Sequence, residues 1–162
     1  MIDHASIRER VTEDDDSDSL RAAVYARTSS KSSGFGYSLN AQTERSIERC
    51  ESLGWTVTFI YRDEAESGKD TDRPMFQQML DMAEKGAFDV IVFWKLDRFS
   101  RSLMHAVQLE SELRESNVSL YSVTEQIDTT TATGRFNFRN IASAAEFERD
   151  MIKQRTRIGI QG

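Results

Sequence analysis

The stretch that most constrains the fold is FDVIVFW, residues 88–94, which is almost continuously apolar. A strand with one face in solvent alternates between apolar and polar residues, whereas a strand covered by helices on both faces has no polar side. The run therefore predicts a central strand of a parallel sheet, buried between two helical layers. It is also far too short to cross a bilayer, so we expect no membrane segment.

Strand-like and helix-like segments alternate along the rest of the chain. Further strands are predicted at about 21–28, 55–61 and 118–123, and helices at about 38–53, 73–86, 102–116 and 135–159. Ser38 is expected to cap the first helix and Gly54 to end it, while Pro74 suits the first turn of the second helix. The alternation predicts a doubly wound α/β fold with a mainly parallel, four- to five-stranded sheet flanked by helices and a long C-terminal helix.

Composition indicates one domain behind a charged leader. The chain has 162 residues, of which 38% are hydrophobic and 30% charged, as in ordinary globular proteins. Residues 1–19, which include the acidic run 13–18, are predicted to form a flexible leader. Residues 20–134 are predicted to form the core, and residues 135–162 a long C-terminal helix.

The net charge and the cysteine content bear on partners and location. The formal charge of −6 argues at first against a nucleic-acid partner, but net charge does not determine the sign of a local patch. A single cysteine, Cys50, excludes a disulfide framework, and the N-terminus has no signal-peptide pattern. We therefore expect a cytoplasmic protein.

The predicted carboxyl ends of the strands are rich in arginine, and ligand sites in such sheets lie beyond those ends. Strand alternation puts Tyr25, Arg27 and Ser29 on one side, so that a hydroxyl lies beside a guanidinium. The later strand ends contribute Asp63, Arg73, Lys95, Asp97, Arg98, Arg101, Glu125 and Asp128. Clustered arginines suit a phosphate, whose oxygens accept paired N–H bonds. Because Arg98 and Arg101 are three apart, we expect both on one face of a helical turn.

Other interpretations of the same residues are possible. Taken alone, the end of the first strand also fits an exposed arginine followed by a turn-forming serine. A Ser-His-Asp triad needs a histidine, and His105 is most simply a surface or boundary residue in the middle of a helix. Metal binding by Asp63, Asp97 and Asp128 is disfavoured because each has an arginine nearby with which it can pair.

Five motifs in order make the chain resemble the serine recombinase family. They are YARTS (25–29), GYSLNAQ (36–42), Asp63 with SG (67–68) and DRP (72–74), KLDRFSR (95–101) and AEFER (145–149). The segments TEQIDTTT (124–131) and TGRF (133–136) most resemble large serine integrases and transposon recombinases. The spacing of 13 residues from Ser29 to Gln42 points the same way.

The resemblance implies an enzyme that cuts and rejoins DNA. Ser29 would attack a phosphodiester and form a 5′-phosphoserine link, while the neighbouring Ser30 lies on the wrong strand face. Arg27, Arg98 and Arg101 would stabilise the transition state with support from Arg73 and Gln42, and Asp97 and Asp63 would orient the arginines or move protons. Tyr25 belongs to the same catalytic motif, and Lys95, Glu148 and Arg149 are implied in DNA binding or assembly. The resemblance also implies that residues 135–162 form an assembly helix, and no DNA-binding module is recognised in the sequence after it.

The resemblance also implies partners and the absence of a cofactor. Exchanging one phosphate ester for another is nearly isoenergetic, so neither a nucleotide nor a metal is expected. Double-stranded DNA and further copies of the chain, as a dimer and then a tetramer, are the expected partners, with an accessory directionality factor as a further candidate. The alternatives are a small resolvase or invertase, or a non-catalytic assembly module with the same fold.

Overall fold

A computed structural model describes residues 19–28, 38–64 and 73–159 of the chain. Most of the predicted leader, together with Ser29 and Ser30, lies outside these residues. The described strands are β1 (Arg21–Thr28), β2 (Thr56–Glu64), β3 (Val90–Phe93) and β4 (Ser119–Ser122). They form one sheet in the order β2-β1-β3-β4, and every pairing is parallel. The predicted α/β fold with a parallel sheet is confirmed.

Helices cover both faces of this sheet. The described helices are α1 (Leu39–Ser52), α2 (Pro74–Glu84), α3 (Leu96–Phe99), α4 (Leu103–Glu115) and α5 (Ala132–Ile158). On one face Tyr25 and Phe93 pack with side chains of α2 and α4, and on the other Val24 and Val92 pack with Cys50 of α1. All four residues of β3 are buried, as the continuous apolar run predicts.

Local sequence signals explain where the first two helices begin. The Ser38 side chain accepts a hydrogen bond from the backbone N–H of Ala41 at 3.1 Å, and Gly54 follows α1 with a φ of +78°. Pro74 occupies the first turn of α2, where its missing N–H costs nothing. These three predictions are confirmed.

The segment between β3 and α4 differs from the prediction. The one-turn helix α3 ends at Phe99, and the chain is extended at Ser100 and again at Ser102, which caps α4. Arg98 therefore lies in α3, whereas Arg101 lies in the connection between two helices. The predicted shared helical face for these two arginines is wrong, because α3 ends at Phe99 and the extended Ser100 lies between them.

The long helix α5 begins three residues earlier than predicted. The Thr131 side chain caps it by accepting the backbone N–H of Gly134 at 3.0 Å. A Cβ on Gly134 would come within 1.6 Å of the carbonyl oxygen of Asp128, so this tight start needs glycine.

Helix α5 packs on α4 and leaves large apolar side chains in solvent. Phe136, Phe147, Ile152 and Ile158 are each more than 60% exposed, while Phe138 is buried. None of the helices in the described ranges combines the length and the apolar composition that a bilayer crossing requires.

Candidate active site

The carboxyl ends of β1 and β2 are joined by a buried hydrogen bond. The Tyr25 hydroxyl donates to Oδ2 of Asp63 at 2.8 Å, and Asp63 also accepts the backbone N–H groups of Met75 and Phe76, both at 3.0 Å. Asp63 thus caps α2 from a neighbouring strand and satisfies donors that a helix start leaves unpaired. Burial, followed by the bond to Asp63, raises the pKa of the Tyr25 hydroxyl, which therefore stays a donor.

Arg73 precedes α2 and is a buried cation. It is 7% exposed, and its guanidinium carbon lies 3.7 Å from the ring centroid of Phe76 and 5.9 Å from that of Tyr25. Nη1 donates to the carbonyl oxygen of Phe99 at 2.7 Å. Burial lowers the pKa of Arg73, the charges of Arg27 and Arg101 add to this effect, and Tyr25 opposes it. The side chain nevertheless stays protonated, because arginine is effectively always charged in proteins.

Arg27, at the end of β1, binds the last turn of α3. Its Nη2 donates to the carbonyl oxygen of Asp97 at 2.6 Å, and Nε donates to that of Arg98 at 3.4 Å. Carbonyls at a helix end have no partner within the helix and attract cations. Because Arg73 binds the next carbonyl in sequence, that of Phe99, two arginines from separate elements hold α3 in place.

Gln42 of α1 holds the backbone at the end of β1. Its side chain is fully buried. Oε1 accepts the backbone N–H of Arg27 at 3.3 Å, and Nε2 donates to the carbonyl oxygen of Arg27 at 2.9 Å. The amide thus pairs with Arg27 as an adjacent strand would, two residues before Ser29 in the chain.

The residues of the third strand end are more exposed. Arg98 Nε lies 3.7 Å from Oδ1 of Asp97, and their side chains are 13% and 67% exposed. Lys95 is exposed at the N-cap of α3. Arg101 is also exposed, and its backbone N–H donates to Nδ1 of His105 at 3.1 Å.

Most of the predicted site residues come together, although some of their contacts differ from the prediction. Contacts connect Tyr25, Arg27, Gln42, Asp63, Arg73, Asp97 and Arg98. Asp63 accepts hydrogen bonds from the first turn of α2 and from the Tyr25 hydroxyl. In the described part of the chain it forms no ion pair with an arginine. Glu148 and Arg149 are exposed on α5, and Ser29 lies outside the described residues.

Two residues near the site had no role in the sequence-based prediction. Glu125 Oε1 accepts the backbone N–H of Leu96 at 2.7 Å and the Ser122 hydroxyl at 2.8 Å, and so it supports the start of α3. His105 contacts Arg101, as described above. The position of Glu125 after the fourth strand was a sequence signal for its role, and the signal for His105 was its spacing from Ser102.

The site has an excess of positive charge. No carboxylate of the described residues lies within ion-pairing distance of Arg27 or Arg73. Within the same residues, no three His, Cys, Asp or Glu side chains are grouped so that they could hold a metal ion. Cations that are anchored through backbone carbonyls and aromatic rings keep their charge available for an anion such as a phosphate.

Comparison with known proteins decides the family. Residues 22–162 match the family model described as "Resolvase, N terminal domain". The chain belongs to the resolvase family of serine recombinases. It is 44% identical over 110 residues to a DNA-invertase of Enterobacteria phage P7, covering 68% of this chain and 56% of the relative. It is 34% identical over 137 residues to the transposon Tn917 resolvase of Enterococcus faecalis, covering 85% of this chain and 67% of the relative.

Solved structures of the family share the fold. The N-terminal catalytic domain of TP901-1 integrase has a TM-score of 0.71 at 32% identity, with 81% of this chain and 98% of that chain covered. A resolvase family site-specific recombinase from Streptococcus pneumoniae has a TM-score of 0.72 at 25% identity, with 86% and 95% covered. The predicted resemblance to serine recombinases is confirmed, and the fold is that of their catalytic domain.

The comparisons include more than one kind of recombinase. The chain spans about half the length of the first curated relatives it matches, which are named DNA-invertases. The structural neighbour at 32% identity is an integrase domain. The predicted resemblance to integrases agrees with this structural neighbour, whereas the curated relatives named here are an invertase and a resolvase.

Proposed function

We propose that this chain is the catalytic domain of a site-specific DNA recombinase and that Ser29 is its nucleophile. The proposal rests mainly on the positions of two arginines, Arg27 and Arg73. Arg27 lies at the carboxyl end of β1 and Arg73 at the start of α2, and neither has a carboxylate partner among the described residues. Ser29 follows β1 by one residue in the chain, so a phosphate bound by these arginines would lie near its hydroxyl.

The proposed reaction exchanges phosphate esters. The Ser29 oxygen forms a bond to phosphorus, and the bond from phosphorus to the 3′ oxygen of the neighbouring nucleotide breaks. The serine proton is transferred away and the leaving oxygen ends as a 3′-hydroxyl, so the DNA 5′ end is linked to the protein. A 3′-hydroxyl of another strand then attacks the phosphoserine and restores both the phosphodiester and Ser29. No phosphate ester is lost overall.

The arginines supply the electrostatic part of this mechanism. Negative charge increases on the non-bridging phosphate oxygens in the transition state, and fixed cations stabilise it without reorganising. Arg27, Arg98 and Arg101 are proposed to contact the phosphate, with support from the charge of Arg73. Gln42 would hold the backbone that leads to Ser29.

Assembly of several copies on DNA is part of the proposal. A dimer would bind each recombination site and a tetramer would join two sites. The exposed apolar side chains of α5 support contact between copies, since large apolar side chains left in solvent favour association. Lys95, Glu148 and Arg149 are proposed to contact DNA or a neighbouring copy.

A covalent adduct tests the nucleophile. The full-length protein would be incubated with its recombination site and quenched during cleavage, and DNA 5′ ends would be examined for linked protein. We expect the adduct with wild type and with the matched control Ser30→Ala, but not with Ser29→Ala. An adduct formed by Ser29→Ala would refute the nucleophile, and its absence from wild type would favour a non-catalytic module.

The outcome of recombination is a separate question. Relatives named DNA-invertase and resolvase favour reactions between two sites on one molecule, whereas the integrase domain favours joining of two molecules. Plasmids with two sites in inverted or direct orientation, compared with sites on two plasmids, distinguish these classes by their products. We expect cleavage in each case, and the favoured product would assign the class.

A further inference from the structure

His105 is linked to the connection that carries Arg101. Its Nδ1 accepts the backbone N–H of Arg101 at 3.1 Å, and its own backbone N–H donates to the Ser102 hydroxyl at 3.1 Å. In a capping box the third residue of a helix reaches back to the N–H of the cap. Here the side chain of that third residue reaches one residue further back, to Arg101.

This contact joins the backbone of Arg101 to the first turn of α4, in addition to the chain connection through Ser102. The residues on both sides of Arg101 are extended, and Ser100 donates its hydroxyl to the carbonyl oxygen of Ser102 at 3.1 Å. Arg101 itself is exposed. The bond to His105 holds the backbone from which the Arg101 side chain starts, and so it limits the region that the guanidinium can reach.

The bond requires a neutral imidazole. A nitrogen that accepts a hydrogen bond carries no proton, so the proton of His105 resides on Nε2. Burial lowers the pKa of His105 from its ordinary value of 6.5, Arg73 and Arg101 lower it further, and Glu112 opposes them. Protonation would turn Nδ1 into a donor that faces another donor, and it would add a third positive charge beside the two arginines.

We propose that His105 is a positioning residue for Arg101 and that only its neutral form holds Arg101 in place. This inference rests on the proposed function in so far as it affects catalysis. Acid then weakens the active site by detaching the backbone of Arg101, in addition to any effect of acid on the reacting groups. His105 itself is not expected to touch the phosphate.

The tautomer can be measured without DNA. Long-range ¹H–¹⁵N spectra of this chain report which imidazole nitrogen carries the proton, and a pH titration reports the pKa. We expect His105 with its proton on Nε2 and a pKa below 6.5, and an Arg101 amide signal that shifts over the same pH range. A proton on Nδ1 at neutral pH, or an Arg101 amide that does not follow the titration, would overturn the proposal.

Two substitutions separate the acceptor from the charge. The Oδ1 of Asn occupies nearly the position of the His Nδ1 and accepts a hydrogen bond, but it does not titrate. Ala removes the acceptor. In the full-length recombinase, we expect His105→Ala to slow DNA cleavage by about tenfold at neutral pH, or about 1.4 kcal/mol. We expect His105→Asn to recover most of that loss.

The pH profile distinguishes positioning from simple stability. Wild-type cleavage is expected to decline in acid more steeply than that of His105→Asn, with unfolding measured alongside for both. If Asn and Ala were equally impaired, or if the wild-type and Asn profiles ran parallel, His105 would have no positioning role. If wild type formed no adduct with DNA at any pH, the proposed function would fail, and the spectroscopic result would still decide whether His105 holds Arg101.

Discussion

Strand β1 carries an arginine near each end, and the two are held in opposite ways. Arg21, at the amino end, contacts Asp89 through Nη2 at 3.1 Å and Nε at 3.2 Å. Arg27, at the carboxyl end, contacts the backbone carbonyls of α3. The charge of Arg21 is therefore neutralised by a carboxylate. In the described residues neither Arg27 nor the neighbouring Arg73 has a carboxylate partner.

The difference indicates which edge of this sheet is suited to bind an anion. A paired arginine stabilises a fold modestly, because the ion pair is screened by solvent. A cation that is buried against rings and carbonyls costs desolvation and gains little stability in return. Such a cation is more useful for binding an anion, so the unbalanced edge is where we expect DNA phosphate.

The largest effect is expected from Arg73→Ala. Removing one preorganised charge from a transition state typically costs about 100- to 1000-fold in rate. DNA cleavage by the full-length protein should fall by that amount and be measured as adduct formation in a single turnover. A reduction of less than fivefold would mean that Arg73 holds α3 but does not stabilise the transition state. The unpaired charge at the carboxyl end of β1 would then not mark the catalytic edge.

Asp63→Ala should have the next largest effect, on folding. The change removes the cap of α2 and leaves the buried Tyr25 hydroxyl without its acceptor, which together should cost about 2–4 kcal/mol. Urea unfolding of this chain measures the loss. Asp63→Asn is the comparison, because it keeps one acceptor oxygen but replaces the other by an NH2 group that cannot accept the bonds made to that oxygen. We expect Asn to lose less stability than Ala, and an equal loss would show that one remaining acceptor does not stabilise the start of α2.

Gln42→Leu tests the support behind Arg27. The substitution keeps the size of the side chain but leaves the N–H and C=O of Arg27 without their partner, at a cost of about 1–3 kcal/mol. Hydrogen exchange at the Arg27 amide should become faster, while the amides of β3 stay protected. Unchanged exchange at Arg27 would indicate that the strand end is held without Gln42.

Arg21→Ala should have the smallest effect. Its pair with Asp89 is partly exposed, with side chains 42% and 33% accessible, so its loss should cost about 0.2–1 kcal/mol. Unfolding in urea checks this, and DNA cleavage should remain at the wild-type rate when the protein is folded. A large loss of cleavage would remove the distinction between the two ends of the strand.

Much of the fold follows from patterns that are local in sequence. The apolar run 88–94 predicted the buried central strand, and Ser38 and Pro74 marked helix starts, because a strand period and a helix cap each depend on a few neighbouring residues. The ordered motifs identified the family. The charges of the site could also be assigned to strand ends, since parallel strands present their carboxyl ends at one edge.

The contacts of those charges depended on tertiary structure. The sequence predicted Arg98 and Arg101 on one helical face, but α3 ends at Phe99 and the extended Ser100 lies between them. The pairing of Arg27 and Arg73 with successive carbonyls of α3 joins residues more than 25 positions apart, and no local pattern encodes it. His105 combines both cases. Its contact with the Arg101 backbone spans four residues, and its spacing from Ser102 was a local signal for it, whereas its proximity to the charge of Arg73 came only from the tertiary fold, because the two residues are distant in sequence.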